Sequence, residues 1–191
     1  MTDGPSQRGL VVVIAGPSGV GKGSVHRGVR DALPDSALSV SVTTRAPRPS
    51  EVDGVDYRFV DRATFEAMID RGELLEWAEY AGQLYGTPRD PVRELVTAGQ
   101  VVVLDIEVQG ALQVKRHLPD ALLVFLVPPS FEELEHRLRG RGTEDDEAIA
   151  RRLRAARQEI DQQDAFDVVV VNDDLDRCVD EVIALIEDAR S

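Results

Sequence analysis

Four stretches of the chain are apolar at every position: Leu10–Ala15, Val101–Leu104, Ala121–Val127 and Val168–Val171. Short uninterrupted runs of this kind suit strands buried on both faces, the condition of a parallel sheet covered by helices. Between and after them, apolar residues recur at helical spacing over Lys22–Leu33, Val108–His117, Phe131–Arg139, Asp145–Gln163 and Asp174–Asp188. The alternation predicts an α/β fold.

Residues 39–97 break the rhythm. They hold short β-favouring pieces at Leu38–Thr43, Tyr57–Val60 and Leu74–Tyr80, a turn-rich stretch at Ala46–Gly54, and helical patterns at Ala63–Arg71 and Asp90–Ala98. The expected organisation is therefore a core built from residues 1–38 and 98–191, with a mixed α+β subdomain inserted over 39–97. A glycine- and charge-rich interruption at Gly140–Glu147 reads as a mobile loop, the centre of a lid at about 138–152.

Composition narrows the chemistry. The 191 residues carry 22 Lys+Arg against 35 Asp+Glu, a net charge of −13, which argues against a nucleic-acid-coating protein with its basic footprint. The lone cysteine, Cys178, has no partner for a disulfide or a zinc site. No apolar run approaches the ~20 residues that span a bilayer, and the opening MTDGPSQRG lacks a signal peptide's apolar stretch, so a cytoplasmic protein without membrane partners is expected.

Directly after Leu10–Ala15 comes Gly16-Pro17-Ser18-Gly19-Val20-Gly21-Lys22-Gly23-Ser24, leading into a helical pattern. A loop that curls its N–H groups around phosphate must lack side chains where it bends, and Gly16, Gly19 and Gly21 satisfy that need. The helix N-terminus adds partial positive charge, and Lys22, one of only two lysines, can reach the β- and γ-phosphates. The loop departs from G-x-x-x-x-G-K-[ST] because Gly23 stands at the hydroxyl position and Ser24 follows. Ser24 and the strand-terminal Asp105 are the candidate Mg²⁺ contacts, directly or through water. Asp105 equally suits a helix-capping role.

The loop, together with SVSVTTRAPRPSEVDGVDY (Ser39–Tyr57), GELLEWAEYAGQLYGTP (Gly72–Pro88), LDIEVQG (Leu104–Gly110), RLRGRGTE (Arg137–Glu144) and VVNDDL (Val170–Leu175), resembles the guanylate kinases in family order over nearly the whole chain. The resemblance implies a phosphate-loop kinase core and transfer of the γ-phosphoryl group of ATP to GMP and dGMP, with Mg²⁺ accompanying ATP. It implies a phosphate pocket of Ser41, Arg45, Arg48, Tyr57 and Tyr85; Arg suits that role because its planar fork matches phosphate oxygens two at a time. It also implies a base reader, Glu76, whose ionised carboxylate can accept from both N1–H and the exocyclic amine of guanine. Adenine would set an acceptor against that carboxylate. Thr87 matches a hydroxyl donor to guanine O6, Asp105 and Glu107 match acidic positions on the GMP side, and Arg137, Arg141 and Arg152 match ATP-side and lid arginines.

Arg137 and Arg141 would share one face of a continuing helix, whereas Arg139, Arg151, Arg154 and Arg157 read as surface ion-pair formers. The three histidines, His26, His117 and His136, read as surface or packing residues, because the attacking phosphate oxygen is already largely ionised at neutral pH and asks for no general base. Catalysis is expected from Lys22, Arg45, Arg141 and Arg152 placed around the transferring group. Of two related readings, a sugar-bisphosphate kinase would have no use for Glu76 and Thr87 as a guanine reader, and an adenylate-kinase-like enzyme would lack the TTRAPR and EWAEYAGQLYGTP segments. A silent scaffold module would have no use for Lys22. A monomer and a homodimer are both compatible with the sequence.

Overall fold

The computed structural model describes residues 8–140 and 145–191. In chain order they form β1 (Leu10–Ala15), α1 (Lys22–Ala32), β2 (Ser36–Ala37), β3 (Val42–Thr43), β4 (Arg58–Phe59), α2 (Arg62–Asp70), β5 (Leu74–Tyr80), β6 (Gln83–Pro88) and α3 (Arg89–Thr97). The second half continues with β7 (Val101–Asp105), α4 (Val108–His117), β8 (Leu122–Val127), α5 (Phe131–Arg139), α6 (Asp146–Ile160), β9 (Val168–Val171) and α7 (Leu175–Ala189).

The apolar runs assemble as their patterning requires, into a parallel five-stranded sheet of order β2-β7-β1-β8-β9. Alternate residues of β1 serve opposite faces. Val12 and Ile14 join α1 and α7 through Val25, Val29, Cys178, Val182 and Ile186. Val11 and Val13 face the opposite layer, where Val92 of α3 and Val108, Ala111 and Val114 of α4 close the core. The side chains of Val12, Val13 and Ile14 are fully buried, which makes the central strand a rigid mount for the loop at its C-terminal end.

A second sheet, of order β4-β3-β6-β5, has its own small core of Val42, Phe65, Met68, Leu74 and Leu84. Strand β6 is absent from the sequence reading, since Gly86 and Pro88 interrupt any β-favouring pattern there. The hairpin joining β5 to β6 turns at Ala81 and Gly82, both at positive φ (50° and 77°), as a two-residue turn that matches the strand twist requires. A register shift between Leu74 and Glu76 bulges β5. Leu74 therefore enters the core of the second sheet while its neighbour Leu75 enters the core beneath the first.

Several boundaries differ from the sequence reading. Leu38–Thr43 contains strand only at Val42–Thr43, and Tyr57–Val60 only at Arg58–Phe59. Helix α6 ends at Ile160, and Gln163–Ala165 is a 3₁₀ turn. Helix α5 stops at Arg139 with Gly140 as its cap. Arg141 itself, and with it residues 141–144 of the expected lid, lies outside the described residues. Among the described residues no helix is long and apolar enough to cross a membrane.

Candidate active site

The loop after β1 is bent by three glycines in the left-handed region: Gly16 (φ 145°), Gly19 (92°) and Gly21 (103°). Each is also packed too closely for a side chain. A Cβ at Gly16 would lie 2.4 Å from the Leu126 carbonyl oxygen, at Gly19 2.8 Å from Leu138 Cδ2, and at Gly21 2.6 Å from Asn172 Nδ2. Helix α1 opens at Lys22 behind Gly21 with no side-chain cap, whereas Ser130, Asp145 and Asp174 cap α5, α6 and α7 with their side chains. The Lys22 and Gly23 amides at the start of α1 are thus left for an anion, while the Ser24 N–H donates to the Gly21 carbonyl at 3.0 Å. Lys22 Nζ donates to the Gly16 carbonyl at 2.6 Å, folding the lysine back over its own loop.

Strand β9 and helices α5 and α6 hold the loop from outside. Asn172, at the end of β9, is buried and donates from Nδ2 to the Val20 carbonyl at 2.7 Å. Arg137 donates to Glu133 at 2.8 Å and to the Val20 carbonyl at 3.3 Å, and Arg152 lies 3.4 Å from Ser18 Oγ. Leu138 and Leu134 touch Gly19 through the small cluster that α5 forms with Ala156 of α6. The other arginines of this region pair on the surface: Arg139 with Glu135 and Asp146, Arg151 with Glu147. Arg157 instead sits over the Phe131 ring at 4.5 Å.

Glu159 of α6 is a residue the sequence did not single out. Its Oε2 is buried without a hydrogen-bond partner. Burial raises its carboxyl above the usual range, the Glu107 charge adds to this, and Lys22 and the Ser18 N–H oppose it. Its only signal in sequence was a helical acid in a charged helix.

On the other side of β7 lies a cleft of about 300 Å³, lined by Ser41, Tyr57, Glu76, Tyr85, Asp105 and Glu107 together with Ala78, Tyr80, Gly86, Ile106 and Gly110. The six residues first named come from three of the segments quoted above, Ser39–Tyr57, Gly72–Pro88 and Leu104–Gly110. Glu76 is only 6% exposed, and Thr87 Oγ1 donates to its Oε1 at 2.6 Å. Burial raises the Glu76 carboxyl above the ordinary glutamate value, and the Thr87 hydrogen bonds pull it back part of the way. Glycines make room on both sides of this acid: a Cβ at Gly110 would lie 2.7 Å from Glu76 Oε2, and one at Gly86 2.9 Å from the Glu76 carbonyl oxygen.

The core holds this strand in place. β5 is an edge strand, and its outward Trp77 N–H and C=O are met by the Gln113 side-chain amide of α4, at 3.2 and 2.9 Å. One turn on, His117 Nδ1 lies 2.6 Å from the Leu75 carbonyl oxygen, so the protonated nitrogen donates there. His26 similarly contacts the Val103 carbonyl at 3.0 Å. Both are packing roles.

Arg45 stands behind two of the lining tyrosines, with its guanidinium 5.5 Å from the Tyr57 ring centroid and Tyr57 edge-on to Tyr85 at 6.2 Å. Arg45 is paired with Glu51 at 2.8 Å. Arg48 is largely exposed at the rim, and Glu51 bridges the two. Asp105 and Ser24 are both exposed. Asp105 ends β7 in register with Ile14 of β1, close to where the phosphate loop departs.

The family description "Guanylate kinase" matches residues 8–189. The chain is 56% identical over 177 residues to the guanylate kinase of Thermosynechococcus vestitus, covering 93% of each chain. It is 54% identical over 183 residues to that of Thermobifida fusca, covering 96% of this chain and 93% of the relative. The crystal structure of guanylate kinase from Anaplasma phagocytophilum superposes with a TM-score of 0.74 at 33% identity, covering 96% of this chain and 87% of that one. The SH3-kinase fragment of tight junction protein 3 shares the fold alone, with a TM-score of 0.52 at 12% identity.

Proposed function

The chain belongs to the guanylate kinase family, the ATP:GMP phosphotransferases, and from that premise we propose how its residues divide the work. ATP lies with its phosphates over the loop Gly16–Ser24, its β- and γ-phosphates met by the α1 amides and Lys22, with Arg137 and Arg152 on its flank. GMP, or dGMP, occupies the cleft beyond β7, within the inserted region 39–97 and the acids Asp105 and Glu107 that border it. Its phosphate meets Ser41, Arg45, Arg48, Tyr57 and Tyr85. Its base meets Glu76 and Thr87.

The chemistry is an in-line displacement. A GMP phosphate oxygen forms a bond to the γ-phosphorus as the bond to the β–γ bridging oxygen breaks, giving GDP and ADP. The nucleophile is already anionic, so the protein's task is alignment and positive charge. Lys22 and Arg45 approach the transferring group from opposite sides, and Arg152 and Arg141 supply further charge as the lid closes and excludes water. Lys22 must first leave the Gly16 carbonyl for phosphate.

The residues available to Mg²⁺ fit a metal held chiefly by nucleotide. Ser24 and Asp105 offer hard oxygen donors, Gly23 leaves the usual hydroxyl position bare, and no group of three or more His, Cys, Asp or Glu among the described residues forms a ready cage. When bound, Mg²⁺ neutralises β- and γ-phosphate charge.

The observation that supports this division is the buried Glu76–Thr87 pair, whose Glu76 lines one cleft together with Tyr57 and Tyr85, with Arg45 beside the Tyr57 ring. An acid this buried has a use if it accepts from two adjacent donors, as guanine presents. A coupled ADP-release assay with GMP, dGMP, AMP, CMP and UMP tests it. Strong preference for the two guanine nucleotides is expected, and equal turnover across bases rejects the assignment.

A further inference from the structure

Between the two arginines assigned to the acceptor phosphate stands an acid that phosphoryl transfer does not require. Glu51 closes the turn that begins at Arg48, its N–H donating to the Arg48 carbonyl at 3.0 Å. Its Oε1 accepts from Arg45 Nη2 at 2.8 Å, and its Oε2 accepts from the Arg48 backbone N–H at 2.7 Å. Arg48 Nη1 is 4.0 Å from the same Oε1.

An ordinary surface ion pair leaves both side chains in water and contributes little. Here the side chains of Arg45 and Glu51 are only 19% and 13% exposed. The guanidinium is further fixed by donation to the Ala46 carbonyl at 2.7 Å and by the Tyr57 ring. Arg45, then the Arg48 N–H, hold the Glu51 carboxyl below the usual glutamate range, so the acid is ionised at neutral pH.

An anion beside an anion-binding pocket weakens attraction for phosphate, so its presence needs another reason. A free arginine side chain must be ordered when it binds, and ordering it beforehand removes that cost. Guanidinium has five N–H donors, so Arg45 can spend one on Nη2 and one on Nη1 and still offer others to phosphate. Without the carboxylate, the two guanidinium groups gathered around its Oε1 would repel each other.

We propose that Glu51 is a positioning residue: it holds Arg45 and the Arg48 turn, before substrate arrives, in the arrangement that receives the GMP phosphate, and does not itself touch the nucleotide. This rests on the reading of Arg45, Arg48, Tyr57 and Tyr85 as the phosphate pocket.

The test compares GMP with guanosine, which shares the base but lacks the phosphate, by titration calorimetry on the full chain. Glu51→Gln keeps the shape and removes the charge. It is expected to weaken GMP binding roughly ten-fold and raise the KM for GMP similarly, while guanosine binding is unchanged. Equal losses for both ligands would mean that Glu51 only supports the fold. Unchanged or tighter GMP binding would mean that it idles or competes. Either result overturns the proposal. Arg45→Ala serves as the control: if it leaves the GMP-to-guanosine affinity ratio intact, the phosphate pocket itself is misassigned. If it lowers the ratio and Glu51→Gln does not, only the role of Glu51 fails.

Discussion

Thr87 Oγ1 donates a 2.6 Å hydrogen bond to Glu76 Oε1, and both residues are buried. The threonine thus orients one carboxylate oxygen and compensates part of its lost hydration, yet burial still leaves the Glu76 carboxyl above its ordinary value. A raised carboxylate pKa means that the folded state favours the neutral form. The cost of holding the charge is present at neutral pH and is lifted as pH falls through the raised folded value towards the ordinary glutamate range. Glu76→Gln should therefore raise the Tm of the ligand-free protein at pH 7, with the gain shrinking under acid conditions. The same change should lower kcat/KM for GMP by about 100-fold and flatten the preference over AMP. Thermal melts across pH and the base-selectivity assay check the two halves.

The phosphate loop separates glycines that are needed from one that is not. Gly21 has φ 103° and no room before Asn172 Nδ2, so Gly21→Ala should cost about 1–2 kcal/mol of stability and most of the turnover. Gly23 has nothing within 4 Å of an added Cβ and lies in the first turn of α1. Gly23→Ser should keep activity and stabilise the helix by about 0.5 kcal/mol. Urea unfolding and ATP-dependent turnover distinguish these outcomes, and a Mg²⁺ titration of Gly23→Ser shows whether the restored hydroxyl tightens metal dependence.

Gln113 closes the open edge of β5 with one amide, donor and acceptor both used on Trp77. Gln113→Ala should lose about 1–2 kcal/mol, for two neutral hydrogen bonds in partial solvent, and raise the KM for GMP more than it lowers kcat. Trp77 is the chain's single tryptophan, so its fluorescence reports the loosened edge directly.

Cys178 lies in the core between α1 and α7, and its thiol is pushed up to about 11, first by burial and then by Glu181 and Asp173. It should resist thiol reagents at pH 7–8 in the native protein and react at once in denaturant, which a colorimetric thiol titration measures.

Much of this arrangement was legible from residue order because the features involved are local. Strand β1 is a run of apolar residues, and a phosphate loop must be glycine where it bends, so both announce themselves without tertiary information. β6 did not, because QLYGTP becomes a strand through pairing with β5 and β3, and Gly86 is there for clearance against Glu76 rather than for strand propensity. Glu51 and Glu159 were hidden among acids that outnumber bases. Their distinction is burial, a property of the folded chain. Gln113 and His117 looked like exposed helix polar groups until α4 was laid beside a strand distant in sequence.

The bulge in β5 bears on how this enzyme could be re-engineered. Since adjacent leucines of one strand plug separate interiors, the lobe built on the second sheet is no detachable cassette: lifting it out would uncork the scaffold at Leu75. Any chimaera that borrows a foreign lobe must therefore bring a residue at that point cut to fit its new host.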